Sequence, residues 1–249
     1  KAYSFFRGDI MLRFIYMIIV CTGLRMYYVP KMIIWSKHPE EHTEEERYVV
    51  TQKMINHIRK RGRIETKVFG TENLPAEGGY IMYSNHQGKY DALGIMYAHE
   101  NPCAVLMNEK RSKMPIANQF IDFIGAKRLN PVDMRKQIKV FNEISDEVKD
   151  GRRYIIFPEG KYTDNGNNLQ EFFGGCFRCS LRSERPIVPV MIYDSYKPFS
   201  INSLKKVTTE VHFLDSIPFE DFKDMRPNDV CNLVKDKIQD AMDERKAVC

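Results

Sequence analysis

Two apolar runs of strand length, each ending abruptly in polar residues, constrain this chain more than any other feature. Tyr80-Ile81-Met82-Tyr83-Ser84 gives way to Asn85-His86-Gln87-Gly88 and then to a helical pattern over Ala92 to Ala98. Tyr154-Ile155-Ile156-Phe157 gives way to Pro158-Glu159-Gly160. Short runs that are apolar on both faces read as strands buried inside a covered sheet. In sheets of that kind, ligands bind in the crevice outside the strand ends.

The flanking pattern predicts the rest of the sheet and its cover. Ile64–Phe69, Cys103–Met107, Pro186–Tyr193 and Val207–Phe213 read as further strands, with Pro189 marking an edge or a bulge. Lys127–Asn130 reads as a short strand or loop. Thr43–Gly62 reads as a helix, opened by a Thr43/Glu46 capping box and closed by Gly62. Ile116–Ile124, Met134–Val148, Glu171–Arg182 and Asn228–Lys246 carry helical spacing. Lys161–Gln170 is polar and reads as a loop long enough to cover a site. From residue 79 onward strand and helix alternate. The expected fold is therefore α/β, with a mixed, largely parallel sheet flanked by helices.

One segment stands apart. Residues 5–35 are strongly apolar, with an uninterrupted stretch from Phe14 to Leu24 between Arg13 and Arg25. Eleven helical residues span about 16 Å, half of a bilayer's hydrocarbon core. Pro30 and Lys31 break the pattern before Met32-Ile33-Ile34-Trp35. Arg7, Asp9, Arg13, Arg25 and Lys31, together with Lys1, leave this segment a net +4. Tyr and Trp favour the membrane interface, and Arg and Lys snorkel to it. Residues 1–37 are thus expected to be one or two helices lying in, or dipping into, one leaflet, and 38–249 the α/β domain. A core helix and a single span are the alternatives. No cleavable signal pattern is read. The whole chain carries a net +5, which suits anionic lipid surfaces and falls short of the basic stripe that nucleic-acid binding demands.

His86 and Asp91 are the chemical pair in the first strand-end cluster. In one continuous helix, five residues rotate by about 140°, so the two side chains would diverge. A turn at His86 with Asp91 opening the next helix brings them together. A carboxylate on one imidazole nitrogen fixes the tautomer and leaves the other as a base. A hydroxyl is a poor nucleophile until such a base takes its proton. No Ser or Cys in a nucleophile elbow stands beside the pair, so direct transfer without an acyl-enzyme is expected. The backbone N–H groups of Gln87 and Gly88 are candidate oxyanion donors by position.

Two metal-like patterns are weaker. His38-Pro39-Glu40-Glu41-His42 fits H-x-x-E-H, but Pro39 breaks a helix running in from Trp35, so a solvated acidic linker is the better reading. Cys176 and Cys179 form a lone C-x-x-C among the six cysteines, with no second pair. No metal site is expected, and the thiols read as reduced.

Four motifs in register resemble the 1-acylglycerol-3-phosphate acyltransferase family of glycerolipid acyltransferases. They are Val68-Phe69-Gly70-Thr71-Glu72-Asn73-Leu74-Pro75, Asn85-His86 with Asp91, Phe157-Pro158-Glu159-Gly160 and Ile187-Val188-Pro189-Val190. The resemblance implies transfer of a fatty acyl group from acyl-CoA or acyl-carrier protein to the 2-hydroxyl of lysophosphatidate, giving phosphatidate. It makes His86 the base and Asp91 its partner. It places Glu159 and Gly160 in the acceptor-binding motif and implies no resident cofactor. The partners implied are a lysophospholipid acceptor, the thioester donor and a membrane bilayer, at the cytoplasmic face of the cell membrane as a peripheral or monotopic protein. Two departures bear on the acceptor. Tyr162 stands where the family has Arg after Phe-Pro-Glu-Gly-Thr, with Lys161 beside it. Pro131 stands where the family's second motif has Arg, so Lys127, Arg128 and Arg135 are the expected sources of charge. Another lysophospholipid or a lyso-aminolipid as acceptor, and a non-catalytic lipid- or CoA-binding member of the fold, are the competing readings.

Overall fold

The computed structural model describes residues 12–38, 40–114 and 116–248. Lys1, Arg7 and Asp9 of the apolar segment, Pro39 and Cys249 lie outside the described residues. Seven strands form one sheet in the order β1-β7-β6-β2-β5-β3-β4. They are β1 Ile64–Phe69, β2 Tyr80–Ser84, β3 Ala104–Asn108, β4 Lys127–Leu129, β5 Arg153–Ile156, β6 Ile187–Tyr193 and β7 Val207–Phe213. All neighbours pair in parallel except β6 and β7. The expected mixed, largely parallel sheet is what the chain forms.

Both apolar runs lie at the centre of that sheet. Every residue of β2 is buried, and Tyr80–Tyr83 pair with Arg153–Ile156 of β5 on one side. On the other side Ile81–Ser84 pair with Ile187–Val190 of β6. The Pro189 reading is corrected: β6 is an inner strand. Pro189 faces Tyr83 on the β2 side and stands one residue before the Val190–Tyr193 ladder with β7, where the missing N–H interrupts least.

Helices cover both faces: α1 Leu12–Lys37, α2 Glu44–Arg61, α3 Asp91–Ala98, α4 Glu109–Ser112, α5 Ala117–Phe123, α6 Met134–Lys149, α7 Arg178–Ser183, α8 Lys197–Ser200 and α9 Pro227–Ala247. Helix α2 has the expected capping box at Thr43 and Glu46. Gly62 caps its C-terminus, but the left-handed residue is Arg63, with φ 52°. Gly62 is needed for a different reason: a Cβ there would lie 2.7 Å from the Met17 sulfur of α1. The helix expected over Glu171–Arg182 begins only at Arg178; the residues before it form an extended stretch and a 3-10 turn, Gly174–Phe177. Gly174 lies against Asn228 of α9, whose side chain would be 2.0 Å from an added Cβ, so this stretch is held by close packing.

From Leu12 onward the apolar segment is one helix, α1, kept whole through Pro30. Arg13, Met17, Leu24, Tyr28 and Met32 recur at helical spacing and are buried against the domain. Leu24, Tyr28 and Met32 belong to the same core as the sheet, so packing continues across the change of composition at residue 37. Arg13 does not snorkel. It is fully buried and donates to the backbone carbonyls of Gly62, Ser203 and Lys205 at 2.7–3.0 Å. The opposite face of α1, with Ile18, Ile19, Met26, Tyr27 and Ile34, is exposed.

Candidate active site

The parallel pairing puts the ends of β2, β3, β4 and β5 along one edge of the sheet, and His86 stands there just beyond β2. The turn that carries it is tied to β6: Asn85 Nδ2 donates to the Ile192 carbonyl and Asn85 Oδ1 accepts from the Ile192 N–H. Asp91 is the first residue of α3 and is fully buried. Its Oδ2 lies 2.6 Å from His86 Nδ1 and accepts the N–H groups of Gln87 at 2.5 Å and Gly88 at 2.8 Å. A single carboxylate oxygen therefore folds the turn and orients the ring. Because Asp91 accepts, Nδ1 carries the proton, and Nε2 has no hydrogen-bond partner among the described residues. This is the geometry of a general base. One expectation is corrected here: the Gln87 and Gly88 N–H groups are spent on Asp91 and leave an oxyanion to other donors.

Aromatic rings bracket the imidazole. Phe157 stacks on it with centroids 4.3 Å apart, and Tyr162 meets it edge-on at 4.8 Å. Glu159 points inward. It is buried, Gln170 Nε2 donates to its Oε2, and the backbone N–H of His86 is a further donor to it. Burial pushes the Glu159 carboxyl above the usual carboxylate range, and the Gln170 and His86 bonds oppose the shift. Glu159 thus lies buried against the turn that holds His86, with its Oε1 left without a side-chain partner. Gly160 takes φ 67°, the left-handed turn that lets the chain leave β5 beside the site.

The basic residues fall differently from expectation. Lys127 faces α6, with its Nζ 2.6 Å from Glu147 and 3.3 Å from Glu143. Arg128 binds Asp122 at 2.7 Å, Asn118 and Ser112. Both are paired with protein carboxylates, part-exposed on either side. Lys161 is exposed at the site, next to Tyr162. Two cations that sequence reasoning missed are closer to the chemistry. The Arg111 guanidinium lies over the Tyr162 ring, 4.6 Å from its centroid. Lys89 lies within the turn between His86 and Asp91, and partial burial followed by the Arg111 charge lowers its pKa. The available signal was position: Arg111 follows the end of β3 as His86 follows the end of β2.

Residues 65–193 match the model of a family described as acyltransferase, more than half of the chain. The chain belongs to the acyltransferase family. Its sheep relative, a 1-acyl-sn-glycerol-3-phosphate acyltransferase alpha, is 27% identical over 193 residues, 76% of this chain and 65% of the relative. The Borreliella burgdorferi 1-acyl-sn-glycerol-3-phosphate acyltransferase is 24% identical over 180 residues, 70% of each chain. The chain thus spans about two thirds of the length of these curated relatives. The fold matches the crystal structure of the 1-acyl-sn-glycerophosphate acyltransferase PlsC from Thermotoga maritima, with TM-score 0.78, 19% identity and 95% coverage of both chains. The resemblance read from four motifs holds, and so does the fold read from the alternation of strand and helix.

In this acyltransferase the polar loop after Gly160 is tied down. Gln87 Nε2 donates to Asn167 Oδ1, and Asn167 Nδ2 donates to Asp194. Gln170 donates to the Lys161 carbonyl. An apolar cavity of about 210 Å³ opens between α1, α2 and α3, walled by Met17, Cys21, Tyr28, Met54, Ile58 and Leu93. The other two motifs lie outside this chemistry. His42 stacks on Trp35 at 3.7 Å, while His38 stands with Glu40 and Glu41 in an exposed group. Cys176 and Cys179 are buried free thiols whose pKa values burial pushes up, Cys179 to about 12, which makes them poor thiolates.

Proposed function

We propose that this chain transfers a fatty acyl group from acyl-CoA or acyl-carrier protein to the 2-hydroxyl of lysophosphatidate, giving phosphatidate. The observation that carries the proposal is the 2.6 Å contact between His86 Nδ1 and Asp91, which leaves Nε2 as the ring nitrogen without a hydrogen-bond partner among the described residues. His86 Nε2 takes the proton of the acceptor hydroxyl as its oxygen attacks the thioester carbonyl. The tetrahedral intermediate collapses, the C–S bond breaks, and His86 returns the proton to the departing thiolate. Asp91 stabilises the imidazolium in between. Arg111, with Lys89 and Lys161 nearby, holds the acceptor phosphate, and Arg111 supplies the guanidinium fork that Tyr162 lacks. The mechanism needs no metal and no resident cofactor, so a chelator leaves the rate unchanged. The exposed face of α1 seats the enzyme on the cytoplasmic leaflet as a peripheral or monotopic protein.

A second acceptor class is favoured by one observation: Lys127 and Arg128 are consumed in ion pairs, which leaves fewer cations for a phosphomonoester. A purified-enzyme assay of thiol release from acyl-CoA, run across a panel of lysolipids, decides between them. Release that requires lysophosphatidate supports the proposal. Release with a lysolipid of another headgroup, and none with lysophosphatidate, reassigns the acceptor. No lysolipid-dependent release with either thioester donor overturns it in favour of a binding protein.

A further inference from the structure

The crevice edge carries a second exposed apolar patch, away from α1. Val132 is 83% exposed and Met134 74% exposed, and Ile138 lies one turn further along α6. They stand where β4 ends and α6 begins, on the same sheet edge as His86. Large apolar side chains clustered at one corner are unlike the scattered singles of an ordinary surface. The same corner is basic. Arg135 and Lys139 are exposed on the first turns of α6 and have no carboxylate partner among the described residues, whereas Lys136 pairs with Asp133 at 3.7 Å. At 100° per residue, Met134 and Ile138 form one stripe with Arg135 and Lys139 along its flank. An apolar stripe flanked by unpaired cations is the composition of a surface that lies in a lipid headgroup layer.

The corner is also joined to the site. Asn130 donates to Glu109 at 2.8 Å, and Arg128 Nε donates to Ser112 Oγ at 3.1 Å, so α4 rests on the end of β4. Helix α4 carries Arg111, which covers Tyr162 and through it His86.

We propose that the β4–α6 corner is a second bilayer contact, which inserts Val132 and Met134 among anionic lipids and sets the mouth of the crevice against the headgroups. The occupant is an anionic bilayer, because the unpaired charges are positive and stand beside exposed apolar side chains. The inference deepens the membrane part of the proposed function and adds a contact that α1 alone does not provide.

The test uses the full chain with vesicles of phosphatidylcholine and phosphatidylglycerol bearing brominated acyl chains. The chain's one tryptophan, Trp35, is replaced by Phe. Tryptophan is then introduced by Met134→Trp, or by Glu77→Trp, an exposed position before β2 at the opposite sheet edge. The expected result is quenching at position 134 and none at 77. In addition, the Arg135→Ala/Lys139→Ala pair should bind the anionic vesicles roughly tenfold or more weakly at low salt, with unchanged binding to phosphatidylcholine alone. Bound protein with no quenching at 134, or wild-type binding by the double variant, overturns the proposal. Because the exposed face of α1, with Ile18, Ile19, Met26, Tyr27 and Ile34, is unaltered in every variant, either failure leaves the reading of α1 standing.

Discussion

Arg111 lies over the ring of Tyr162, 4.6 Å from its centroid, at the third position after Pro158-Glu159, where the motif resemblance implied an Arg. The ring replaces a guanidinium and a second element of the sheet edge brings one back. If this guanidinium holds the acceptor phosphate, Arg111→Met raises KM for a phosphorylated acceptor about tenfold to hundredfold, the worth of one or two charge-assisted bonds. The kcat should change far less. Tyr162→Arg in the Arg111→Met background should recover part of the loss. Steady-state kinetics with varied acceptor checks both, and an unchanged KM in Arg111→Met removes Arg111 from the acceptor site.

His86→Ala should lower kcat by about 10²–10⁴-fold. Asp91→Asn should cost comparable activity and also stability. Its carboxylate oxygen accepts two backbone N–H groups besides the imidazole, and an amide accepts them less well. A loss of about 1–3 kcal/mol in urea denaturation is expected for weakening those buried bonds. Near-normal turnover in His86→Ala would end the general-base assignment.

What was legible in the sequence followed from local rules. Period, capping and turn chemistry placed the sheet strands, the α2 capping box and the meeting of His86 with Asp91, since all depend on residues within a few positions of one another. What failed depended on distant partners. Pro189 looked like an edge residue because the sequence does not say which side of a strand loses its partner first. Lys127 and Arg128 looked free because Glu143, Glu147 and Asp122 reach them only once α5 and α6 pack. Gln87 and Gly88 were read as open donors, although Asp91, already chosen as the partner of His86, had a second use. Arg111 was overlooked because nothing in its own neighbourhood marks it; its role comes from the loop after β5. Arg13 was read as a membrane-edge charge because carbonyl acceptors from two distant segments cannot be seen in a helical pattern.

His99 gives the fold a pH limit of its own. The ring is fully buried, with Nδ1 2.7 Å from the Asn101 carbonyl and Nε2 2.6 Å from the Tyr80 hydroxyl. A carbonyl only accepts, so Nδ1 carries the proton and Nε2 accepts from Tyr80. Burial holds the imidazole neutral down to about 4. The unfolded chain binds this proton near pH 6.5 and the folded chain does not, so stability is complete above 6.5 and falls as pH drops from 6.5 toward 4. The loss at pH 4 is at most about 3 kcal/mol, at ~1.4 kcal/mol per unit. Glu210, held to about 2 chiefly by its bond to Arg245, acts in a lower window, from the ordinary carboxylate range downward. Urea midpoints from pH 7 to 4 should therefore fall in the wild type and fall less in His99→Gln. Parallel slopes in the two would rule out His99 as the source.

Helix α1 should come away from the domain when Arg13 is lost, even though its apolar stripe remains. Arg13 Nη2 donates to the Gly62 carbonyl at 2.7 Å, so a positive charge sits on the C-terminal end of α2, where the helix dipole is negative. Its Nη1 donates to the carbonyls of Ser203 and Lys205, which ties α1 to the segment leading into β7. Arg13→Met keeps an unbranched apolar stem and removes every one of these bonds, leaving carbonyls without donors. The expected cost is about 3 kcal/mol, with Arg13→Lys losing less because an ammonium still reaches one or two of the oxygens. Hydrogen exchange should then speed up across residues 12–24 and at the Gly62–Arg63 turn before it does in the central strands. The same dependence means that deleting α1 would expose Leu24, Tyr28 and Met32 contacts in the core, so membrane binding by this helix is better read from Ile19→Glu and Ile34→Glu on its exposed face. Unaltered exchange at α1 in Arg13→Met would show that the apolar stripe alone holds the helix in place.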